Sequence, residues 1–390
     1  MRHAAFLCVA FLLACCGCGS VTSEPPSAPV VVRVSPAFDS KHARPDRGLV
    51  ITAQGGRLSQ VLVYEGGEHV PGRLDASHTT WRSAWTLKPA TEYTVTATAA
   101  GENGPSTVAM GRFRTRAAER TFRVATTAPL PGETVGVGMP VIIDFDTPIQ
   151  DKAAVERSLE VTTKTPVEGA WRWITDTQVI YRPRRFWAAG QQVMVSAHLA
   201  GVRAAPGVYG TLDSTFAFTV GRRQTSTIDT RTHQMTVRRD GKVVQQMAIS
   251  AGMATTREYT TTSGMHLTMD KGNPVRMISP GRTKGEPGYY DLMIEHAVRI
   301  SNSGEYVHAK DNVWAQGKEN VSHGCVNARP DQAAWFYAGS LRGDPVLITG
   351  TARELEWDNG WGFWQLPWEK WRMGSALHAA DPTGDRVPQR

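Results

Sequence analysis

Short β-forming runs broken by turn residues, laid out twice in succession, constrain the fold of this chain more than any other feature. Val31-Val32-Arg33-Val34 is one run, and Gln60-Val61-Leu62-Val63-Tyr64, closed by Gly66-Gly67, is another. Tyr93-Thr94-Val95-Thr96-Ala97-Thr98 alternates with period two, as a half-buried strand does. The plan then recurs. Phe122-Arg123-Val124 opens the second copy, Val141-Ile142-Ile143-Asp144-Phe145 is a strand, and Trp171-Arg172-Trp173 alternates. Ala188-Ala189-Gly190 leads into Val193-Met194-Val195-Ser196-Ala197 much as Pro89-Ala90-Thr91-Glu92 leads into 93–98. The closing strands correspond as well, Arg112-Phe113-Arg114-Thr115 with Phe216-Ala217-Phe218-Thr219. Short strands with regular turn signals and no long helical period predict a mainly β chain that begins with two Ig-like β-sandwich modules, residues 30–118 and 119–221. Neither carries a cluster of chemically active side chains, so both read as spacers or supports.

Residues 222–350 read as a third, β-rich domain. Gln234-Met235-Thr236-Val237, then Asp240-Gly241, then residues 243–249 form a hairpin signal, since Asp-Gly between alternating runs suits a tight turn. Gly- and Pro-rich loops follow over 272–288. Residues 331–341 are the one good helix candidate, with Asp331 placed to cap it. Pro345-Val346-Leu347-Ile348 reads as a closing strand. Residues 351–378 hold Trp357, Trp361, Phe363, Trp364, Trp368 and Trp371. Such a load predicts a subdomain packed back on the preceding domains, with a glycan-stacking platform as the functional alternative. Residues 379–390 read as a disordered tail.

The N-terminal segment, 1–29, reads as export signal and tether. Arg2 and His3 precede an apolar stretch over 4–14, too short to span a bilayer comfortably. It ends in Leu12-Leu13-Ala14-Cys15-Cys16-Gly17-Cys18, which resembles a bacterial lipobox. Cys15 fits best as the lipidated residue, with Cys16 and Cys18 as rivals. A Ser/Pro-rich tether follows. Four of the five cysteines lie in this segment, which leaves Cys325 as the single thiol of the folded part. A disulfide framework and a cysteine-rich zinc site are thereby excluded. No His-Glu-x-x-His motif appears, so no metal or other cofactor is expected. The net charge of +7 is spread without a basic run, which argues against nucleic acid as a partner.

Cys325 sits in Ser322-His323-Gly324-Cys325-Val326-Asn327. A thiol attacks a carbonyl only as the thiolate, so a nearby imidazole must take or hold its proton. His323 belongs to the same turn. His308 lies upstream, at the end of the strand-like Glu305-Tyr306-Val307-His308. A base on a neighbouring strand approaches more freely than one within the same tight turn, so His308 is favoured as base and His323 as support. Gly324 permits a sharp turn that brings substrate close and aims main-chain N–H groups at an oxyanion. Asn327 is placed to fix the loop or to hydrogen-bond substrate.

Ser-His-Gly-Cys-hydrophobic-Asn, with a histidine placed upstream as His308 is, resembles the L,D-transpeptidase family, whose catalytic domain is of the YkuD type. Gln316-Gly317, Ala334-Trp335-Phe336-Tyr337 and Arg342-Gly343-Asp344 extend the match. The Trp-rich ending, the lipoprotein-like signal and the paired Ig-like modules resemble mycobacterial-type members. The resemblance implies an enzyme of the cell envelope, lipid-anchored on the outer face of the membrane and acting on peptidoglycan stem peptides. The cysteine attacks the third residue of a donor tetrapeptide, usually diaminopimelate, and releases D-Ala. A second stem's amine resolves the thioester into a 3→3 cross-link. Cys325 matches the nucleophile, His308 the base and Asn327 the motif's asparagine. Tyr290 matches a tyrosine of the donor pocket, Ser303 and Gly304 a substrate-binding pair, and Met277 a lid methionine. Carbapenems are the covalent inhibitors the resemblance implies. Two departures stand out. Ala309 replaces a frequent serine after the histidine, a position that acts through its carbonyl. The 308–325 loop is slightly shorter than in close members, which leaves the place of Trp314 open. Rival readings are a carboxypeptidase, in which water resolves the thioester, and a non-catalytic envelope-binding scaffold.

Overall fold

The computed structural model describes residues 1, 29–101, 105–279, 281–378 and 381–382. The lipidation candidates Cys15, Cys16 and Cys18, the tether to residue 28 and most of the 379–390 tail lie outside the described residues. No helix among the described residues is long and apolar enough to cross a membrane.

Two sandwiches come first. In the first, Val31–Ser35, Val50–Gln54, Thr80–Ser83 and Gly72–Leu74 form one sheet, and Glu68–His69, Arg57–Glu65, Glu92–Ala100 and Thr107–Arg114 form the other. Alternation along Glu92–Ala100 buries Tyr93, Val95, Ala97 and Ala99 between them. The second sandwich packs Val124–Ala128, Val141–Phe145, Gln178–Pro183 and Glu168–Trp173 against Thr134–Val135, Ser214–Val220, Gln192–Ala197 and Leu159–Thr163. Its opening run is two strands rather than one. Arg120–Phe122 joins a small three-stranded sheet, and the chain starts afresh at Val124. The tail is not wholly unstructured, because Asp381–Pro382 pairs with Glu168 and Gly169 at a sheet edge.

The third domain is a nine-stranded sheet. Its order is Gly264–Leu267, Pro345–Thr349, Gln224–Asp229, Gln234–Arg239, Lys242–Ser250, Val326–Ala328, Tyr306–Ala309, Ala297–Arg299 and Lys271–Gly272. The Asp240-Gly241 hairpin forms with φ of 49° and 83°, the positive pair that a two-residue turn needs. The helix runs Pro330–Gly339 and buries Ala333 and Phe336 against the sheet. Asp331 does not cap it. Arg329 holds that position, Pro330 starts the helix with its preset φ, and Asp331 pairs with Arg329 from the first turn.

The Trp-rich segment turns back onto the second sandwich. Trp361, Phe363 and Trp371 join that sandwich's core together with Leu267 and Met269 of the third domain. Trp371 Nε1 donates to the Ala170 carbonyl at 2.9 Å, and the Arg182 guanidinium lies 4.7–5.5 Å from the rings of Trp364, Trp368 and Trp371. These rings are engaged in packing rather than set out as a platform.

Candidate active site

Two short parallel strands, Tyr306–Ala309 and Val326–Ala328, build the floor of the site. Val307 faces Val326 and His308 faces Asn327 in register. Both valines are fully buried in the domain core. Alternation therefore turns His308 and Asn327, with Tyr306 and Cys325, toward the opposite side. There a cavity of about 560 Å³ opens, lined by all four. Cys325 enters it from the turn before its strand, where Gly324 has φ 126°.

The imidazole is fixed. His308 is 5 % exposed, and its Nδ1 lies 2.9 Å from the Ala309 carbonyl. A carbonyl only accepts, so Nδ1 carries the proton and Nε2 keeps its lone pair. Burial pushes the His308 pKa down to about 4, partly offset by this hydrogen bond, with Lys310 adding to the fall. At neutral pH the ring is an uncharged base.

The thiol rests protonated. Cys325 is partly accessible as a residue, yet its sulfur is desolvated, and burial pushes its pKa up to about 12. The Tyr306 N–H works against this rise and the Glu305 carboxylate adds to it. The Cys325 Sγ–H donates to the Gly304 carbonyl at 3.6 Å rather than to His308. Thiol and imidazole thus rest as a neutral pair.

Gly324 is held within its own turn. Its N–H is held by Ser322 Oγ at 3.1 Å, and that hydroxyl in turn donates to the Cys325 carbonyl. The turn is locked, and its role is to present the sulfur.

The other anticipated residues gather on the same cavity. Ser303, Gly304, Tyr290, His323 and Met277 all line it. Met277 sits on a two-stranded hairpin, Val275–Ile278 with Asp291–Ile294, that forms the opposite wall. Tyr290 closes that hairpin's loop, and burial followed by the nearby Cys325 pushes its phenol pKa up. His323 points outward and is exposed, edge-on to Tyr259 at 4.5 Å and tilted to Tyr290 at 5.4 Å. Burial and then Arg282 lower its pKa. Trp314 is 62 % exposed and is not among the lining residues.

Several lining residues escaped the sequence reading. Tyr259, Glu258 and Arg282 shape the rim, and Arg282 pairs with Glu258. Glu305 is buried, with its carboxylate taking the Thr262 N–H at 2.6 Å and the Thr262 hydroxyl at 2.7 Å. Burial alone would raise its pKa, but the hydrogen bonds from His266 and Thr262 bring it below the ordinary value. Glu305 directly follows the Ser-Gly pair, and its place in Ser-Gly-Glu-Tyr was the available signal. Among the described residues, no group of three or more acidic, histidine or cysteine side chains could hold a metal ion.

Residues 223–348 match the L,D-transpeptidase catalytic domain, and residues 40–203 match a bacterial Ig domain. L,D-transpeptidase 5 of Mycobacterium tuberculosis is 35 % identical over 96 % of this chain and 84 % of its own length. The chain belongs to the L,D-transpeptidase family. L,D-transpeptidase 2 of M. tuberculosis is 36 % identical, over 85 % of this chain and 81 % of its own. Among solved structures, the LD transpeptidase LdtMt1 in complex with imipenem is similar to this chain with a TM-score of 0.50. It is 34 % identical over 58 % of this chain and 98 % of that one. An L,D-transpeptidase from Mycobacterium smegmatis aligns with the same score at 33 % identity, over 59 % of this chain and 99 % of its own.

Proposed function

We propose that this protein forms 3→3 cross-links between peptidoglycan stem peptides through a Cys325 thioester. The observation that carries the reading is the fixed His308 tautomer, whose Nε2 lone pair opens on the cavity face that Cys325 also enters. Cavity, nucleophile and base then suffice for acyl transfer. A donor carbonyl entering the cavity draws the thiol from Gly304. His308 Nε2 takes the proton as sulfur attacks the diaminopimelate carbonyl. The tetrahedral oxyanion collapses, the C–N bond breaks, and D-Ala leaves with the proton from His308. The side-chain amine of a second stem attacks the thioester, loses its proton to His308, and expels the Cys325 sulfur, which recovers that proton. Coupling deprotonation to attack avoids first forming a buried thiolate–imidazolium pair. Tyr290, Ser303, Gly304 and Asn327 are assigned to the donor peptide, Met277 to its cover, and His323 to supporting the aromatic rim.

Family membership and a relative solved with imipenem support covalent inhibition by carbapenems at Cys325. The apolar run and the Cys-rich stretch that ends it, Met1 to Cys18, support export and lipid anchoring at Cys15 on the outer membrane face, which brings the site to peptidoglycan.

The test incubates a tetrapeptide donor with and without an acceptor carrying a free diaminopimelate amine, and weighs the products by mass spectrometry. Cross-linked dimer appearing only with acceptor is expected. Tripeptide as the sole product in both arms means hydrolysis and overturns the transpeptidase reading. Cys325→Ala should lose product by at least roughly 10⁴-fold while folding normally.

A further inference from the structure

Two irregular loops hold the nucleophile. Gly304, in the 301–305 loop, accepts the Cys325 thiol, and Thr261, in the 256–263 loop, donates its hydroxyl to the Gly324 carbonyl at 2.7 Å. The loops are joined to each other through Glu305 and Thr262. Residues 353–360, at the start of the Trp-rich segment, grip both from outside. On one side Arg353 Nη1 donates to the carbonyls of Arg257 and Thr260 at 3.1 Å each. The Ser263 N–H also donates to the Arg353 carbonyl at 2.7 Å, and the Leu355 N–H donates to the Ser263 carbonyl at 2.9 Å.

On the other side Asn359 closes a two-point clamp on Ser303. The Ser303 N–H donates to Asn359 Oδ1 at 2.9 Å, and Asn359 Nδ2 donates to Ser303 Oγ at 3.0 Å. Gly360 follows at φ 72°, seated so closely that a Cβ there would meet Asn302 N at 3.0 Å and Ser301 Cα at 3.2 Å. The same segment ends on the second sandwich. Trp364 Nε1 donates to the Gly138 carbonyl and Trp371 Nε1 to the Ala170 carbonyl, both at 2.9 Å.

We propose that Asn359 is a positioning residue for acyl transfer: it sets the Ser303–Gly304 loop against Cys325 and ties nucleophile geometry to a strap anchored on the second sandwich. This rests on reading Cys325 as the nucleophile. The magnitudes favour a positioning role over a merely structural one. The clamp is solvent-exposed, and such hydrogen bonds contribute little to folding because water replaces them. A displacement of about 1 Å at a reacting group, by contrast, can cost on the order of 100-fold in rate.

The experiment measures the limiting rate of Cys325 acylation by a carbapenem in full-length wild type, Asn359→Ala and Asn359→Asp, with the melting temperature of each. Aspartate keeps the acceptor for the Ser303 N–H, and the Ser303 hydroxyl can turn to donate to its second oxygen. Asn359→Ala should acylate about tenfold more slowly with an unchanged melting temperature, and Asn359→Asp should recover most of the rate. Wild-type speed in Asn359→Ala, or equal slowness in both variants, overturns the proposal. If Asn359→Ala fails to fold, Asn359→Ser takes its place under the same criteria. A wild type that forms no carbapenem adduct refutes the function reading instead. The positioning role is then judged by the pH profile of Cys325 alkylation with iodoacetamide. Asn359→Ala must shift its midpoint and Asn359→Asp must not, and identical profiles in all three proteins reject it.

Discussion

The two walls of the cavity are built on different principles. The floor is sheet: His308 and Asn327 are in register on paired strands, both are buried, and a main-chain carbonyl fixes the imidazole. The opposite wall is a two-stranded hairpin with its loop, carrying Met277 and Tyr290; the exposed His323 of the nucleophile's own turn leans on Tyr290, and surface ion pairs such as Arg276 with Asp291 hold the strands. The floor is suited to chemistry that demands fixed geometry. The hairpin wall is suited to admitting and covering a substrate, because its two strands bury only Ile294 fully.

Exchanging the histidines tests this contrast most severely. His308→Ala removes the oriented base and should slow carbapenem acylation by about 10²- to 10⁴-fold. His323→Ala removes only ring contacts with Tyr259 and Tyr290, worth about 0.5–1.5 kcal/mol, and should cost no more than about tenfold. Stopped-flow acylation of both variants measures the ratio. A larger loss from His323 would move the base to the nucleophile's own turn.

Acid pH sharpens the same contrast. With the folded His308 pKa at about 4, the base stays neutral down to that value, so acylation should hold level through pH 5 and fall only near 4. Stability behaves differently. The unfolded chain's imidazole binds a proton near 6.5 and the folded one does not until about 4. The stabilising contribution is therefore complete above 6.5 and lost as pH falls from 6.5 to 4. Replacing His308 with Gln should flatten this part of the stability curve, read by denaturant melts at pH 7 and pH 5. An equally steep decline in the variant would place the titrating group elsewhere.

Much of the floor was legible in the sequence because its signals are local. The Ser-His-Gly-Cys-Val-Asn turn and the strand-like run ending at His308 each declare themselves within a few residues, and the domain resemblance joined them. The helix position was legible too, but its cap was not: Asp331 suits a cap by type, while Pro330 just before it suits the first helical position and moves the start one residue earlier. The charge state of the thiol was illegible in principle. Desolvation is set by everything packed around the sulfur, and no spacing along the chain reports it. The grip of Asn359 on Ser303 was hidden for a related reason, since the partners are 56 residues apart and Asn359 lies in a segment without a motif.

The smallest expected effect concerns the cover. Met277 is half-buried, pairs across the hairpin with Leu292 and lines the cavity, while its neighbours Arg276 and Ile278 are exposed. Its flexible thioether suits a surface that must close over ligands and reopen. Met277→Ala removes part of an apolar contact worth about 1–2 kcal/mol to a bound donor. Because the side chain belongs to the hairpin rather than the floor, the loss should fall on binding. The half-saturation concentration for acylation should rise about three- to tenfold, with the limiting rate near that of wild type. Met277→Leu should restore most of the contact. If the limiting rate falls instead while half-saturation is unchanged, the hairpin is helping to align the reacting groups, and the division between a fixed floor and an adaptable cover fails.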